Sequence, residues 1–346
     1  MTGALLIRVD GGSDLGLGHA MRMLALGEAW VGAGGRVTYL GALPAGVVER
    51  AARSGCTVLA SAAPRGTAED AAATRATAEK LAAVWVVADG YDFDEAWQRT
   101  VKASGARLAI VDDNGENGSY AADAIVNVNV HASEALYPRR PATTQLLLGP
   151  RYALVRAEFV RAARGTSTMP VRATKWLVTM GGADPSDATG RFLDAAAKGA
   201  GEGITIEVLV AESNPRWLAL QQVAARSATP IVLTRSPPDV SVPMGRAELA
   251  FSASGGTVWE LAVVGVPVAV LTVADNQRRL ATRLHELGAV EWLGDAASTE
   301  PSSWVRSVQT LAGDLSRRAA LVERARQQVD GEGAARVVNV LREVKR

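Results

Sequence analysis

The stretch ALLIRVDGGSDLGLGHAMRMLALGEAWVGAGGRVTYLG, residues 4–41, decides the fold. Residues 4–9 are a short, mostly apolar run that stops at Asp10-Gly11-Gly12, the pattern of a buried strand ending in a turn. From His19 to Ala33 apolar residues recur at helical spacing, and Gly34-Gly35 marks the stop. RVTYLG (36–41) is the next strand. Strand, helix, strand at this spacing means parallel pairing through a helical crossover, and so an α/β domain.

The alternation runs outward from there. VWVVAD (84–89), ARLAIVDD (106–113) and ADAIVN (122–127) read as further strands with helical stretches between them. The pattern pauses at ARGTSTMPVRA (163–173), which is small, polar and carries Pro170, the signature of a linker. It restarts with TKWLVTMGG (174–182), ITIEVLVA (204–211), PIVLT (230–234), AELAFS (247–252) and VPVAVLTV (266–273). The tail from Ser302 reads as helical throughout, its last helix following Asp330-Gly331. The expectation is two consecutive parallel α/β domains, 1–165 and 172–330, and a C-terminal helix at 331–346. Ligands of such sheets sit beyond the carboxyl ends of the strands, so a cleft between the two domains is the expected place for chemistry.

Composition narrows the function classes. A chain of 346 residues is long enough for two domains and needs no disulfide or metal to hold a core. Lys+Arg 37 against Asp+Glu 36 leaves a net charge of +1, which excludes a strongly basic nucleic-acid binder. An apolar share of 48% with 21% charged residues excludes a disordered chain. The single cysteine, Cys56, excludes an intramolecular disulfide and a cysteine zinc cluster; with His19, His131 and His285 the only histidines, a His-rich metal site is not expected either. No apolar run reaches the roughly 20 residues of a membrane helix, and the first one is too short for a signal peptide. A soluble cytoplasmic protein with no membrane partner is expected.

Candidate chemistry lies just after strands. Asp10-Gly11-Gly12-Ser13-Asp14-Leu15-Gly16-Leu17-Gly18-His19-Ala20-Met21-Arg22 follows the first. Its glycines allow close backbone approach to a ligand, and a helix beginning near His19 points its N–H groups the same way. A histidine so placed suits general-base work. The same residues also read as a glycine turn with a capping histidine. They depart from the dinucleotide fingerprint, because Thr38-Tyr39 stands where an acidic residue is needed, and no nicotinamide cofactor is expected.

Ser252-Ala253-Ser254-Gly255-Gly256-Thr257-Val258-Trp259-Glu260 follows a strand of the second half. Serines and glycines at a helix start form an anion cradle, with Glu260 further along to hold ribose hydroxyls. An ordinary strand–helix turn is the other reading, and the lack of Gly-Lys-Ser/Thr excludes an ATP P-loop. Val178-Thr179-Met180-Gly181-Gly182-Ala183-Asp184 is a third such strand end. Asp89-Gly90-Tyr91-Asp92-Phe93-Asp94 is a fourth, in which Asp89 and Tyr91 are pocket candidates. Asp92 and Asp94 read as opening the helix through Trp97, and no metal is expected on them. Asp112-Asp113 ends another strand and is either structural or pocket-lining.

Taken in order, these residues resemble the PseG type of nucleotide-sugar hydrolase, related proteins of the SpsG type and, more distantly, the glycosyltransferase MurG. The resemblance opens at Arg8-x-Asp10 and Gly16-x-Gly18-His19-x-x-Arg22. It continues through Asp89-x-Tyr91, Asp112-Asp113, Asn127-Val128-Asn129 and Gly149-Pro150-x-Tyr152-x-Leu154-x-Arg156-x-Glu158-Phe159. Met180-Gly181-Gly182-x-Asp184, Ser252-x-Ser254-Gly255-Gly256-Thr257-x-x-Glu260-Leu261, Asn276-Gln277 and Asp330-Gly331-x-Gly333-Ala334-x-Arg336-Val337 complete it.

The resemblance implies a GT-B architecture: two Rossmann-like domains with parallel sheets facing a central cleft. It implies UDP on the second domain, through Gly181, Gly182, Asp184, Ser252, Ser254, Gly255, Gly256 and Thr257, with Glu260 near the ribose. It places the sugar near His19, Tyr91, Asn276 and Gln277, with Asp10, Gly16, Gly18 and Arg22 on the substrate side. His19 is implied as the base that activates water for attack at the anomeric carbon, releasing UDP with inversion and without a metal or other cofactor. The type substrate is UDP-2,4-diacetamido-2,4,6-trideoxy-β-L-altropyranose of pseudaminic acid biosynthesis. Gly12 stands where a serine is frequent, and Met23 and Gly27 where Cys and Ala are common. Those departures touch the sugar pocket or helix packing and leave the sugar open. The same cleft also suits a glycosyltransferase acting on a small acceptor, or a nucleotide-sugar binder without catalysis.

Overall fold

The computed structural model describes residues 2–12, 17–163, 169–182, 184–212 and 214–343. The chain forms two units, one of Met1–Ala157 with Gly331–Arg346 and one of Glu158–Asp330. The first crossing thus falls just before the 163–173 stretch, of which 164–168 lie outside the described residues.

In the first unit β1 (Ala4–Val9), β2 (Arg36–Leu40), β3 (Thr57–Leu59), β4 (Ala83–Asp89), β5 (Arg107–Val111), β6 (Ala124–Asn127) and β7 (Gln145–Leu148) form one sheet. Its order is β3-β2-β1-β4-β5-β6-β7 and every pair is parallel. In the second unit β8 (Lys175–Thr179), β9 (Thr205–Val210), β10 (Ile231–Arg235), β11 (Leu249–Ala253), β12 (Val268–Thr272) and β13 (Glu291–Asp295) pair in parallel in the order β10-β9-β8-β11-β12-β13. Both are doubly wound sheets, as the alternation requires. Each reverses its winding once, between β1 and β4 in one sheet and between β8 and β11 in the other. A doubly wound sheet takes its ligand at that reversal, outside the carboxyl ends of the two strands.

The central strands are buried on both faces, which is why they read as continuous apolar runs. Leu6, Val86, Phe93, Trp97 and Ile110 centre the core of the first unit. Val178, Phe192, Phe251, Leu271 and Trp304 centre that of the second, with Phe192 and Phe251 stacked at 4.4 Å between ring centroids. Three strands carry no clear sequence signal: β3, β7 and β13. All are edge strands, and none is fully buried along its length.

The tail beyond Ser302 is helical, in three helices: Pro301–Gly313, Leu315–Gln328 and Gly333–Glu343. The last of these belongs to the first unit. The Trp85 indole N–H donates to the Leu341 carbonyl at 2.7 Å, and the chain arrives there through Gly333, where a Cβ would lie 2.2 Å from the Ala153 carbonyl oxygen.

The helix Gly18–Gly32, which carries His19 and Arg22, lies close on β2 because residue 27 has no side chain. A Cβ at Gly27 would lie 2.0 Å from the Tyr39 hydroxyl oxygen, and that hydroxyl donates to the Met23 carbonyl at 3.0 Å. Met23 is fully buried. These two departures from the family pattern therefore belong to helix packing. Gly27→Ala improves helix propensity yet overpacks the contact, so we expect a loss of about 1–3 kcal/mol in urea unfolding. Tyr39→Phe in the Gly27→Ala background should recover part of it; a Gly27→Ala protein as stable as wild type would contradict this packing.

Candidate functional site

At the β1/β4 reversal, parallel register sets Val9 beside Asp89, the last residue of β4. The helix that follows β1 begins at Gly18, so His19 and Arg22, three residues apart on one helix face, come over that strand end. Asp89 is fully buried. Its Oδ1 contacts His19 Nδ1 at 2.6 Å, and Arg22 donates through Nε to Oδ2 at 2.6 Å and through Nη2 to Oδ1 at 2.7 Å. Burial alone would raise the Asp89 carboxyl, but the adjoining Arg22 and His19 outweigh it and hold it down at about 2. Burial likewise opposes the charge on Arg22, while Asp113 and Asp89 keep it firmly protonated. With Asp89 ionised, the 2.6 Å contact requires the proton on Nδ1, so a neutral His19 keeps its lone pair on Nε2. Tyr91 packs edge-on against the imidazole, 5.0 Å between centroids. A histidine whose tautomer is held by a buried carboxylate is an arrangement suited to general-base chemistry.

A second set of charges braces the loops. Arg8, fully buried in β1, donates to Asp70 at 2.7 Å and to Asp10 Oδ1 at 2.8 Å. Asp10 also accepts the Ala42 backbone N–H at 2.7 Å. Asp10 thus bonds protein groups and ties the loop after β1 to the one after β2. Asp92 pairs with Arg65, and Asp94 caps its helix by accepting the Trp97 N–H at 2.8 Å.

In the second unit the loop after β8 holds a cluster of left-handed residues: Gly181 (φ +82°), Asp184 (φ +43°) and Asp187 (φ +51°). Two of these are not glycine, and such strain persists only where surrounding bonds enforce it. Asp184 enforces it by accepting the N–H groups of Ala188 and Thr189, both at 2.9 Å, at the start of the helix Ala188–Ala196. Arg216 donates to the Asp184 carbonyl at 3.0 Å. The Asp184 side chain is therefore a helix cap.

The loop after β11 leads into the helix Thr257–Val264, whose cap residue Gly256 offers no side chain. Ser252 is buried and its hydroxyl donates to the Ala253 carbonyl at 3.0 Å. The Ser254 hydroxyl is fully buried yet makes no hydrogen bond among the described residues. It stands beside the first N–H groups of that helix, which have no intrahelical partner and favour an anion. Glu260 lies in the first turn of that helix, half-buried. Gln277, in the turn Asp275–Gln277 after β12, faces Gly255, with its Nε2 3.9 Å from where a Cβ would stand. Asn276 beside it is exposed.

The structure thus gathers His19, Arg22 and Tyr91 in the first unit, and Gly181, Gly182, Asp184, the 252–260 residues and Asn276-Gln277 at neighbouring strand ends of the second. Gly18 is the first residue of its helix, and Gly16 lies outside the described residues. Sequence reasoning did not pair Asp89 with His19, assign Asp113 to Arg22, or single out Arg216. Strand adjacency was the available signal: a β1/β4 reversal sets Asp89 beside the His19 loop.

No protein-family model matches the chain. It is 23% identical to the spore coat polysaccharide biosynthesis protein SpsG of Bacillus subtilis over 241 residues, covering 69% of this chain and 70% of SpsG. Among solved structures it is similar to Acinetobacter baumannii MurG (TM-score 0.65, 15% identity, 99% of both chains). It is similar to the S. aureus MnaA–UDP co-structure (TM-score 0.69, 13% identity, 98% of this chain and 96% of that one). Anabaena Alr3699/HepE in complex with UDP and glucose is another (TM-score 0.66, 12% identity, 98% and 99%). With two parallel-sheet α/β domains and these neighbours, the fold is GT-B. Among the described residues no helix is long and apolar enough to cross a membrane.

The Asp89 ion cluster has a measurable acid signature. Its carboxyl titrates near 2 when folded and near 4 when unfolded, so its stabilisation is complete above about pH 4 and is lost as pH falls toward 2. Across that window we expect urea unfolding of wild type to lose about 2 kcal/mol more than Asp89→Asn does. Parallel curves for the two proteins would show that Asp89 is not held ionised.

Proposed function

We propose that this protein is a nucleotide-sugar hydrolase that releases UDP from a UDP-deoxyamino sugar, with His19 as general base. The observation that carries the reading is the His19–Asp89 pair at the β1/β4 reversal. In this mechanism His19 Nε2 takes a proton from water and the water oxygen attacks the anomeric carbon. The bond from that carbon to the diphosphate oxygen breaks with its electron pair on UDP, and the configuration inverts. Asp89 holds the tautomer and stabilises the imidazolium that forms.

Charge divides the roles. Around His19 stand two carboxylates and one guanidinium, a net negative setting unfavourable for a diphosphate. The second unit offers the opposite: the Gly181-Gly182 turn, the Ser254 hydroxyl and the start of the helix at Thr257, with Asp184 occupied by backbone N–H groups. Fixed N–H and hydroxyl donors of that kind can stabilise charge developing on a leaving diphosphate. Glu260 would hold the ribose, and Tyr91 with Asn276 and Gln277 the sugar. UDP in the MnaA structure, and UDP with glucose in the HepE structure, agree with a nucleotide-sugar partner. The likeness to SpsG agrees with a polysaccharide-biosynthesis setting.

A second reading, glycosyl transfer to a small acceptor, is favoured by the likeness to MurG, and the same base would deprotonate an acceptor hydroxyl. A panel of UDP-amino sugars, incubated without acceptor in ¹⁸O-water with EDTA, separates the two. Hydrolysis puts label on the free sugar as UDP is released; UDP binding without turnover would favour the transferase. We expect His19→Asn to abolish turnover while calorimetry still detects UDP. Ser254→Ala should weaken UDP binding by about 2- to 10-fold, the value of one hydrogen bond. Wild-type turnover in His19→Asn would overturn the mechanism.

A further inference from the structure

The resemblance places Arg22 on the substrate side, but its guanidinium is taken up by carboxylates. Nε and Nη2 engage both oxygens of Asp89, while Nη1 lies 3.0 and 2.9 Å from the two oxygens of Asp113. Asp113 is itself held from the far side. Asn129 Nδ2 donates to Asp113 Oδ1 at 2.9 Å, and Asn127 Nδ2 donates to the Asp113 carbonyl at 2.9 Å. Asn127 Oδ1 in turn accepts from the Asn129 backbone and side-chain N–H groups at 3.0 and 3.1 Å. Such a chain of bonds leads away from the base and has no purpose as a substrate contact.

We propose that Asp113, acting through Arg22, is a positioning residue of the His19 base and supplies the negative charge that the imidazolium neutralises. Two carboxylates and one guanidinium leave the cluster at −1 while the imidazole is neutral, and protonation of His19 brings it to zero. Arg22 Nη2 lies 3.2 Å from His19 Nδ1, so the guanidinium by itself opposes an imidazolium. Asp113, on the other end of that guanidinium, balances it. Among the described residues the surrounding groups do not change the sum. Tyr91 presents a ring edge to His19, and His131 reaches the Asp113 carbonyl at 3.1 Å through Nε2. The Asp112 carboxylate is turned to the N–H groups of Asn114 and Gly115 and the hydroxyl of Tyr120. Arg8 pairs with Asp70 and Asp10, and Arg65 pairs with Asp92.

The catalytic meaning of this device rests on His19 being the base, but its test does not. Ring-nitrogen NMR titration of His19 in the full chain reads the cluster directly. Asp113→Asn should move the His19 midpoint to lower pH by about 0.5–1 unit, a three- to tenfold loss of proton affinity. Arg22→Gln should move it the opposite way by a similar amount, and Asp113→Glu should restore the wild-type midpoint. A residue that only supports the fold would shift both variants alike or neither, and either result overturns the proposal. In wild type the Asp113 carboxyl carbon should show an inflection at the His19 midpoint. Its absence counts against the proposal even if a variant fails to fold. Turnover in His19→Asn would refute the base while leaving the split titration intact. Loss of turnover there, with no split, would refute the role of Asp113 alone.

Discussion

A carboxylate sealed from water must be met by cations, and Asp89 sets that demand for the whole first unit. It ends β4 beside the end of β1, and the groups that meet it come from one helix. His19 and Arg22 share a face only because they are three residues apart, and they reach Asp89 only because the helix starts soon after β1. The helix in turn reaches its place because Gly27 lets Tyr39 press against it. Strand order, helix start and one missing side chain thus act together to bring the cations to one buried charge. The arrangement also fixes the tautomer of His19 through its contact with the ionised Asp89.

The second unit solves a different problem with different means. Its reversal point presents backbone and hydroxyl groups rather than ionised side chains. The left-handed residues after β8 are held by Asp184 capping the next helix and by Arg216 on the Asp184 carbonyl. Gly181 needs no such enforcement, since glycine reaches φ +82° without steric cost. The strain is thus concentrated at Asp184 and Asp187, where bonds outweigh it. The buried hydroxyls of Ser186 and Ser254 make no hydrogen bond among the described residues, and that of Ser254 stands beside a helix start.

Most of the architecture was legible because parallel central strands are buried on both faces and so announce themselves as apolar runs. Three of the four edge strands do not: TVL at 57–59, QLLL at 145–148 and EWLGD at 291–295 are too short or too mixed in polarity to be told from loops. The strand-end glycines, His19 and the serines were legible as candidates because of their place after strands. What each side chain bonds to was not. Asp10, Arg22 and Asp184 were expected on the ligand side, and the structure occupies all three with protein partners. That distinction depends on pairings between residues far apart in the chain, Arg22 with Asp113 and Asp184 with its own helix among them. Only the three-dimensional arrangement of the strands reveals them.

On this reading the two units divide the chemistry by the sign of their charge. A diphosphate brought to the His19 cluster would add negative charge to groups already at −1, whereas the hydroxyl and N–H groups of the second unit gain from it. Conversely, a histidine placed among those donors would lack the carboxylates that favour its protonated form. The base belongs where excess negative charge is stored, and the leaving group where fixed dipoles wait for it. Proton uptake at His19 then brings its surroundings to neutrality as negative charge develops on the departing nucleotide. Under the proposed mechanism each unit would be stabilised by the step assigned to it.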